Sequence, residues 1–171
     1  MTDRRTALRT SAAVFGATAL GAFVSADPAQ ARPAQPPRSS DSAQRAEIVE
    51  VLKSYERALN ASDLAGVVQL YTGDAVVLAP GAPSAVGIDA VRAAYTGIFQ
   101  AIDLDLTFEV AEVNVVSSSW AFLRSNSHGT VTILANGAQV PSSNQELFVL
   151  NKSAGCWKLA RYSFSSVLPS A

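Results

Sequence analysis

The chain changes its hydrophobic period once, near residue 103, and that switch limits the architectures open to it. Before it, apolar residues recur at helical spacing. Ile48, Leu52, Tyr55 and Leu59 form one stripe, Leu64, Val67, Val68 and Tyr71 a second, and Ile88, Val91, Tyr95, Ile98 and Ile102 a third. After it, Leu104, Leu106, Phe108 and Val110 alternate with Asp105, Thr107 and Glu109, the period of a half-buried strand. Helices first and strands afterwards predict an α+β fold, with three N-terminal helices packed on one face of a curved, mostly antiparallel sheet.

Local signals punctuate this plan. Asp41 with Gln44 has the form of a capping box. Ser62 is placed to cap the short second helix, which Gly73 would stop. "AVVLA" (75–79) reads as a short buried strand ended by a Pro80-Gly81 turn. The apolar parity then shifts to Val113 and Val115, which predicts a bulge near Ala111-Glu112. A strand from Trp120 to Leu134 leads into an Asn136-Gly137 hairpin turn. Strands Gln145–Asn151 and Cys156–Phe164 follow, joined by a turn at Ser153-Ala154-Gly155.

Residues 1–31 read as an export signal. Arg4, Arg5 and Arg9 precede a small-residue apolar run from Ala12 to Val24, and Ala29-Gln30-Ala31 offers a cleavage pattern. The paired arginines resemble a twin-arginine signal, although Ala7 stands where an aromatic is usual. An ordinary secretory signal and an uncleaved anchor are the competing readings, but the run is too short to span a bilayer. Residues 32–43 read as a Pro/Ser-rich linker, 44–165 as the folded domain and 166–171 as a tail. The expected location is extracytoplasmic, with no stable membrane span after signal removal.

Loss of the signal takes Arg4, Arg5, Arg9, Asp3 and Asp27 from totals of 13 basic and 14 acidic residues, leaving 10 and 12. That balance lacks the clustered basic residues that phosphate neutralisation needs, so nucleic acid is not an expected partner. Cys156 is the lone cysteine, so an internal disulfide is excluded; beside Trp157 it reads as a small buried hydrophobe. One histidine with no cysteine or carboxylate cluster predicts no metal site, and no Gly-rich phosphate loop precedes a helix.

The stretch "FLRSNSHGTVTI" (122–133) stands out, because alternate positions carry Phe122, Arg124, Asn126 and His128. "Y…ALNASD" in the first helix, "LYTGDAVVLAPG", "VGIDAVRAAY" and "GCWKLARYSF" together resemble the nuclear transport factor two-like superfamily. Within it the similarity is to the SnoaL-like group, and especially its SgcJ/EcaC branch, over roughly residues 44–165. The resemblance implies a cone-shaped, cystatin-like roll with an internal cavity and no cofactor, and homodimers that pair through the outer sheet face. Members include isomerases, polyketide cyclases and plain binding modules, so fold does not settle function.

Ketosteroid isomerase, a member of that superfamily and a worked case of pKa tuning, pairs a carboxylate base with a tyrosine and a protonated acid that hold an oxyanion. The resemblance places the tyrosine at Tyr55 and the acid near Glu146. The base position, immediately before Pro80, is Ala79, which accepts no proton. His128 is then the remaining candidate base, since an imidazole titrates near neutrality. The same overlay turns Phe122, Arg124, Asn126 and His128 inward, together with Glu146, Phe148 and Leu150, and Ala160, Tyr162 and Phe164. Arg124, Asn126, Phe122, Phe148, Tyr162 and Phe164 would then contact the ligand.

Structural readings stand beside each role. Tyr55 also fits a core tyrosine, Arg124 a cross-strand ion pair with Glu146, and His128 the exposed strand end. Asp63 and Asp74 read as cap and turn carboxylates, and Arg161 faces solvent or a partner. The expectation is an exported protein that binds a small, largely apolar, polycyclic or polyketide-like molecule. It acts either as an acid/base isomerase or cyclase or as a noncatalytic sequestering protein.

Overall fold

A computed structural model describes residues 39–167. The export signal read at 1–31 lies outside the described residues. Helix α1 (Ser39–Asn60) begins inside the segment read as linker, so Asp41 sits in its first turn and not at its cap. Asp41 near the start and Arg57 in the last turn both complement the helix dipole. The predicted stripe of α1 is the buried one: Ile48, Leu52, Tyr55 and Leu59 are all in the core.

Helix α2 (Leu64–Gln69) is capped one residue later than expected. The Asp63 carboxylate accepts from the Gly66 amide at 2.9 Å, whereas Ser62 takes a positive φ of 50° in the turn before it. A Cβ at Gly66 would overlap that carboxylate, so the cap and the glycine require each other. The helix ends before Tyr71 and Gly73, both of which belong to strand β1 (Tyr71–Leu78). The helical reading of Tyr71 failed because its parity also suits an inward strand position. Strand β2 (Ala85–Val86), too short to carry a period, pairs with β1 and leads into α3 (Ile88–Ala101).

Four strands complete the sheet: β3 (Ile102–Val115), β4 (Trp120–Ile133), β5 (Ala138–Ser153) and β6 (Cys156–Ser166). The order is β2-β1-β6-β5-β4-β3, antiparallel except where β1 runs parallel to β6. The bulge expected near Ala111-Glu112 lies between Val110 and Glu112, and a second falls at Val149/Leu150. Bulges of this kind bend the strands that carry them. The Asn136-Gly137 turn closes as predicted, with the Gly137 amide donating to the Ile133 carbonyl at 2.8 Å.

Polar side chains of α1 fasten it to β3, the strand at one end of the sheet. Asn60 donates to the Leu106 carbonyl at 2.7 Å and accepts from the Leu106 amide at 3.0 Å, as a neighbouring strand would. The Glu56 carboxylate accepts from the Phe108 amide at 3.0 Å, and Arg45 donates to the Val113 carbonyl. These contacts satisfy strand groups that would otherwise offer an open edge. The helix is thereby held across the hollow of the sheet, with Tyr55 directed into it.

Cys156 is exposed beside the β5–β6 turn, where Ala154 and Gly155 both have positive φ, so it is not the buried hydrophobe expected. Among the described residues no helix is long and apolar enough to cross a membrane. Gly129 marks a close approach of β4 to β3, because a Cβ there would overlap the Asp105 carbonyl oxygen. Gly129→Ala is expected to destabilise the fold by about 1–3 kcal/mol, the usual range for overpacking. Urea unfolding is the check, and an unchanged midpoint would contradict this packing.

Candidate functional site

The inner face of β4 is set by what can be buried. Ala121, Leu123, Ser125 and Ser127 are all at 2 % exposure or less, while Arg124, Asn126 and His128 point to the outside. The expectation of an inward Phe122-Arg124-Asn126-His128 face is therefore wrong by one residue. The register gives the reason: Ser125, and not Arg124, stands opposite Glu146. A one-residue slip exchanges every side chain between faces. Arg124 pairs instead with Glu112 on β3 at 3.2 Å, so the ion pair considered with Glu146 is absent. Phe122 is half-buried on the outer face. His128 is exposed opposite Thr107 and Ser143, away from the cavity, and loses the role of base.

The other inward assignments agree with the structure except at Ala160, where the bulge against Val149/Leu150 puts Leu159 in the core position opposite Leu150. Glu146, Phe148 and Leu150 from β5, and Ala160 and Tyr162 from β6, are buried, and Phe164 packs against the same core. Of these, Glu146, Tyr162 and Phe164 line a cavity of about 600 Å³ between the helices and the sheet, whereas Phe148, Leu150 and Ala160 are buried outside its lining. Its wall includes Tyr55 from α1, Tyr95 and Ile98 from α3, Leu106 and Phe108 from β3, and Phe164 from β6. Ala79 lines it too, so a methyl group occupies the wall at the position before Pro80.

Among the described residues Glu146 is the one carboxyl group on that wall. Its two oxygens accept from two serines: Oε2 from Ser125 at 2.6 Å and Oε1 from Ser127. Burial raises its pKa above the ordinary carboxylate range, and the two hydroxyl donors oppose that rise without cancelling it. The serines were not singled out from the sequence. The available signal was the need of a buried carboxylate for donors, which Ser125 and Ser127 meet from the facing strand.

All four tyrosines of the chain gather here. The Tyr95 hydroxyl is 2.7 Å from that of Tyr55 and 2.8 Å from that of Tyr71, forming a three-phenol chain. Two hydrogen bonds among three hydroxyls use two hydrogens. Either member of each pair can be the donor, and the Tyr55 hydroxyl, on the cavity wall, also lies within hydrogen-bonding reach of Tyr162. Tyr162 stacks on Phe148 at 4.3 Å between centroids and meets the Tyr55 ring edge-on at 5.7 Å. Burial pushes all four phenols well above their ordinary pKa, so they remain neutral donors at physiological pH. Glu146 is close enough to Tyr55 and Tyr162 to raise both further by its charge. Among the described residues no group of three His, Cys, Asp or Glu side chains could hold a metal ion.

A carboxyl group whose pKa is raised on folding keeps its proton in the native state after the unfolded chain has lost it. The contribution of Glu146 to stability should therefore fall as pH rises from about 4, the ordinary Glu value, through the raised native value, and then level off. Glu146→Gln is expected to remove that fall, as seen in urea midpoints measured across the window. A wild-type contribution that grows with pH, relative to the variant, would contradict this environment for Glu146.

The comparisons with known proteins agree with this architecture. Residues 51–155 match the model of the SnoaL-like domain. A ketosteroid isomerase-like protein from Erwinia carotovora atroseptica is 40% identical, over 74% of this chain and 98% of that chain, with a TM-score of 0.71. A putative scytalone dehydratase from Novosphingobium aromaticivorans is 18% identical over 75% and 87%, with a TM-score of 0.68. A hexachlorocyclohexane dehydrochlorinase is 10% identical over 74% and 87%, with a TM-score of 0.66. The last two identities speak to the fold alone. No curated protein matches. The chain belongs to the SnoaL-like domain family of the nuclear transport factor two-like superfamily.

Proposed function

We propose that the cone binds one small, largely apolar molecule and sets its ketone or hydroxyl oxygen against Glu146 and the Tyr55 phenol. One observation carries this reading: a single buried carboxyl group stands on the wall of a cavity of about 600 Å³ lined mostly by apolar and aromatic side chains. Such a cavity has the volume and the sparse polar content usual for a ligand of a few fused rings. A polycyclic or polyketide-like ketone fits that description.

Two outcomes of binding remain, and one group separates them. In a cofactor-free isomerase or cyclase, the Glu146 carboxylate would take a proton from the carbon beside the ketone and return it at another carbon. The Tyr55 hydroxyl would donate to the enolate oxygen meanwhile. Ala79 and the outward His128 favour the second outcome, a noncatalytic protein that sequesters its ligand, because they leave Glu146 without a second proton-transfer group. Incubation with a cyclic aryl ketone in D2O tests both. Enzymatic action predicts deuterium at the α-carbon, slowed by at least about 100-fold in Glu146→Gln. Sequestration predicts saturable binding with no exchange and weaker binding in the same variant. Absence of both, or a variant identical to wild type in both, would overturn the reading.

The setting of this activity belongs to the same proposal. Arg4-Arg5 and the apolar run after them support export by a twin-arginine-like route, so Arg4→Lys with Arg5→Lys is expected to hold the protein in the cytoplasm. Exposed Trp120 and Leu147 beside half-buried Phe122 and Val149 on the outer sheet face support a homodimer. Leu147→Glu is then expected to give a monomer in sedimentation at micromolar concentration. A wild-type monomer under those conditions would remove the dimer.

A further inference from the structure

The cavity wall is polar at more than one point. Residues 142, 144 and 146 share one face of β5, and Ser142 and Asn144 line the cavity with Glu146. The Asn144 amide nitrogen donates to Ser127 Oγ at 3.3 Å and to Ser142 Oγ at 3.2 Å. Its orientation follows from Glu146. The Ser127 hydroxyl has one hydrogen and gives it to Glu146 Oε1, so towards Asn144 it can only accept. The amide nitrogen must therefore face the serines, and the Asn144 Oδ1 atom is turned away from them. Among the described residues no group donates to that oxygen. Ser142, which accepts from Asn144, keeps its own hydrogen to donate.

An acceptor and a donor side by side match a hydroxyl group, which donates to one and accepts from the other. Asn144 stands two residues along the strand from Glu146 and Ser142 four, or roughly 7 and 13 Å at the usual rise per residue. Phe108, Phe164 and Val131 make apolar parts of the same wall, and Val131 lies beyond Ser142 along the sheet. We propose that Asn144 and Ser142 are specificity-determining residues that read a second oxygen of the ligand, a hydroxyl set further along β5 than the oxygen at Glu146. The preferred ligand is thus two-ended: one oxygen at Glu146 and Tyr55, an apolar body, and a hydroxyl at Asn144.

This inference rests on the cavity being the binding site, and the test separates the two claims. Naphthalene, 2-naphthol and naphthalene-2,6-diol are titrated calorimetrically into the wild type, Asn144→Leu and Ser142→Ala. The wild type is expected to bind the diol about five- to tenfold more tightly than the mono-ol, the value of one good neutral hydrogen bond. Asn144→Leu should erase that preference while keeping mono-ol affinity within about twofold, and Ser142→Ala should reduce the preference in part. Probes that bind without a diol preference, or a preference that survives both substitutions, would overturn the role of Asn144 and Ser142 alone. Failure of all three probes to bind the wild type would overturn the cavity as the site and this inference with it. Ser142→Ala removes only one oxygen, so the test stands even where Asn144→Leu does not fold.

Discussion

A carboxyl group inside an apolar cone has to be met by donors, and that requirement organises the site. Glu146 is almost wholly buried, and each of its oxygens accepts from a serine of the neighbouring strand. An unpaired carboxylate there would cost several kcal/mol or force the group to stay protonated. Ser125 and Ser127 supply donors with little bulk, and Ser127 shares the cavity wall with Glu146. Strand alternation then does the rest: with Ser125 and Ser127 inside, Arg124, Asn126 and His128 must be outside.

The same register serves the phenols. Tyr55 is aimed into the hollow because α1 is tied to β3 through Asn60 and Glu56, and Tyr71 and Tyr95 reach it from β1 and α3. Three elements distant in the chain thus converge on one line of hydroxyls, of which Tyr55 shares the cavity wall with Glu146. The ligand would meet neutral donors from the helices and a carboxyl group from the sheet. That division of labour suits an oxygen held between the two layers.

The fold was legible because its signals are periodic. The stripe Ile48-Leu52-Tyr55-Leu59, the alternation from Leu104, the Ala111-Glu112 bulge and the Asn136-Gly137 turn each have a local cause that the sequence displays. The site was legible in part, since Glu146, Tyr55, Phe148, Tyr162 and Phe164 all line or back the cavity. What failed was the face of β4, because alternation groups residues 122, 124, 126 and 128 but does not say which way they point. A solvated guanidinium at Arg124 beside buried Ala121 and Leu123 was the available clue. The tyrosine chain and the Asn144–Ser142 pair were not legible, since both depend on contacts between elements whose register only the folded chain sets.

The central claim is that the inner face of the sheet, centred on Glu146, is where the protein meets its ligand. The direct measurement is mass spectrometry of small molecules released on denaturing protein purified from its native host. A largely apolar, oxygenated molecule is expected with the wild type, retained by His128→Ala and depleted in Glu146→Gln. A molecule lost from His128→Ala but retained by Glu146→Gln would move the site to the outer face and contradict the account.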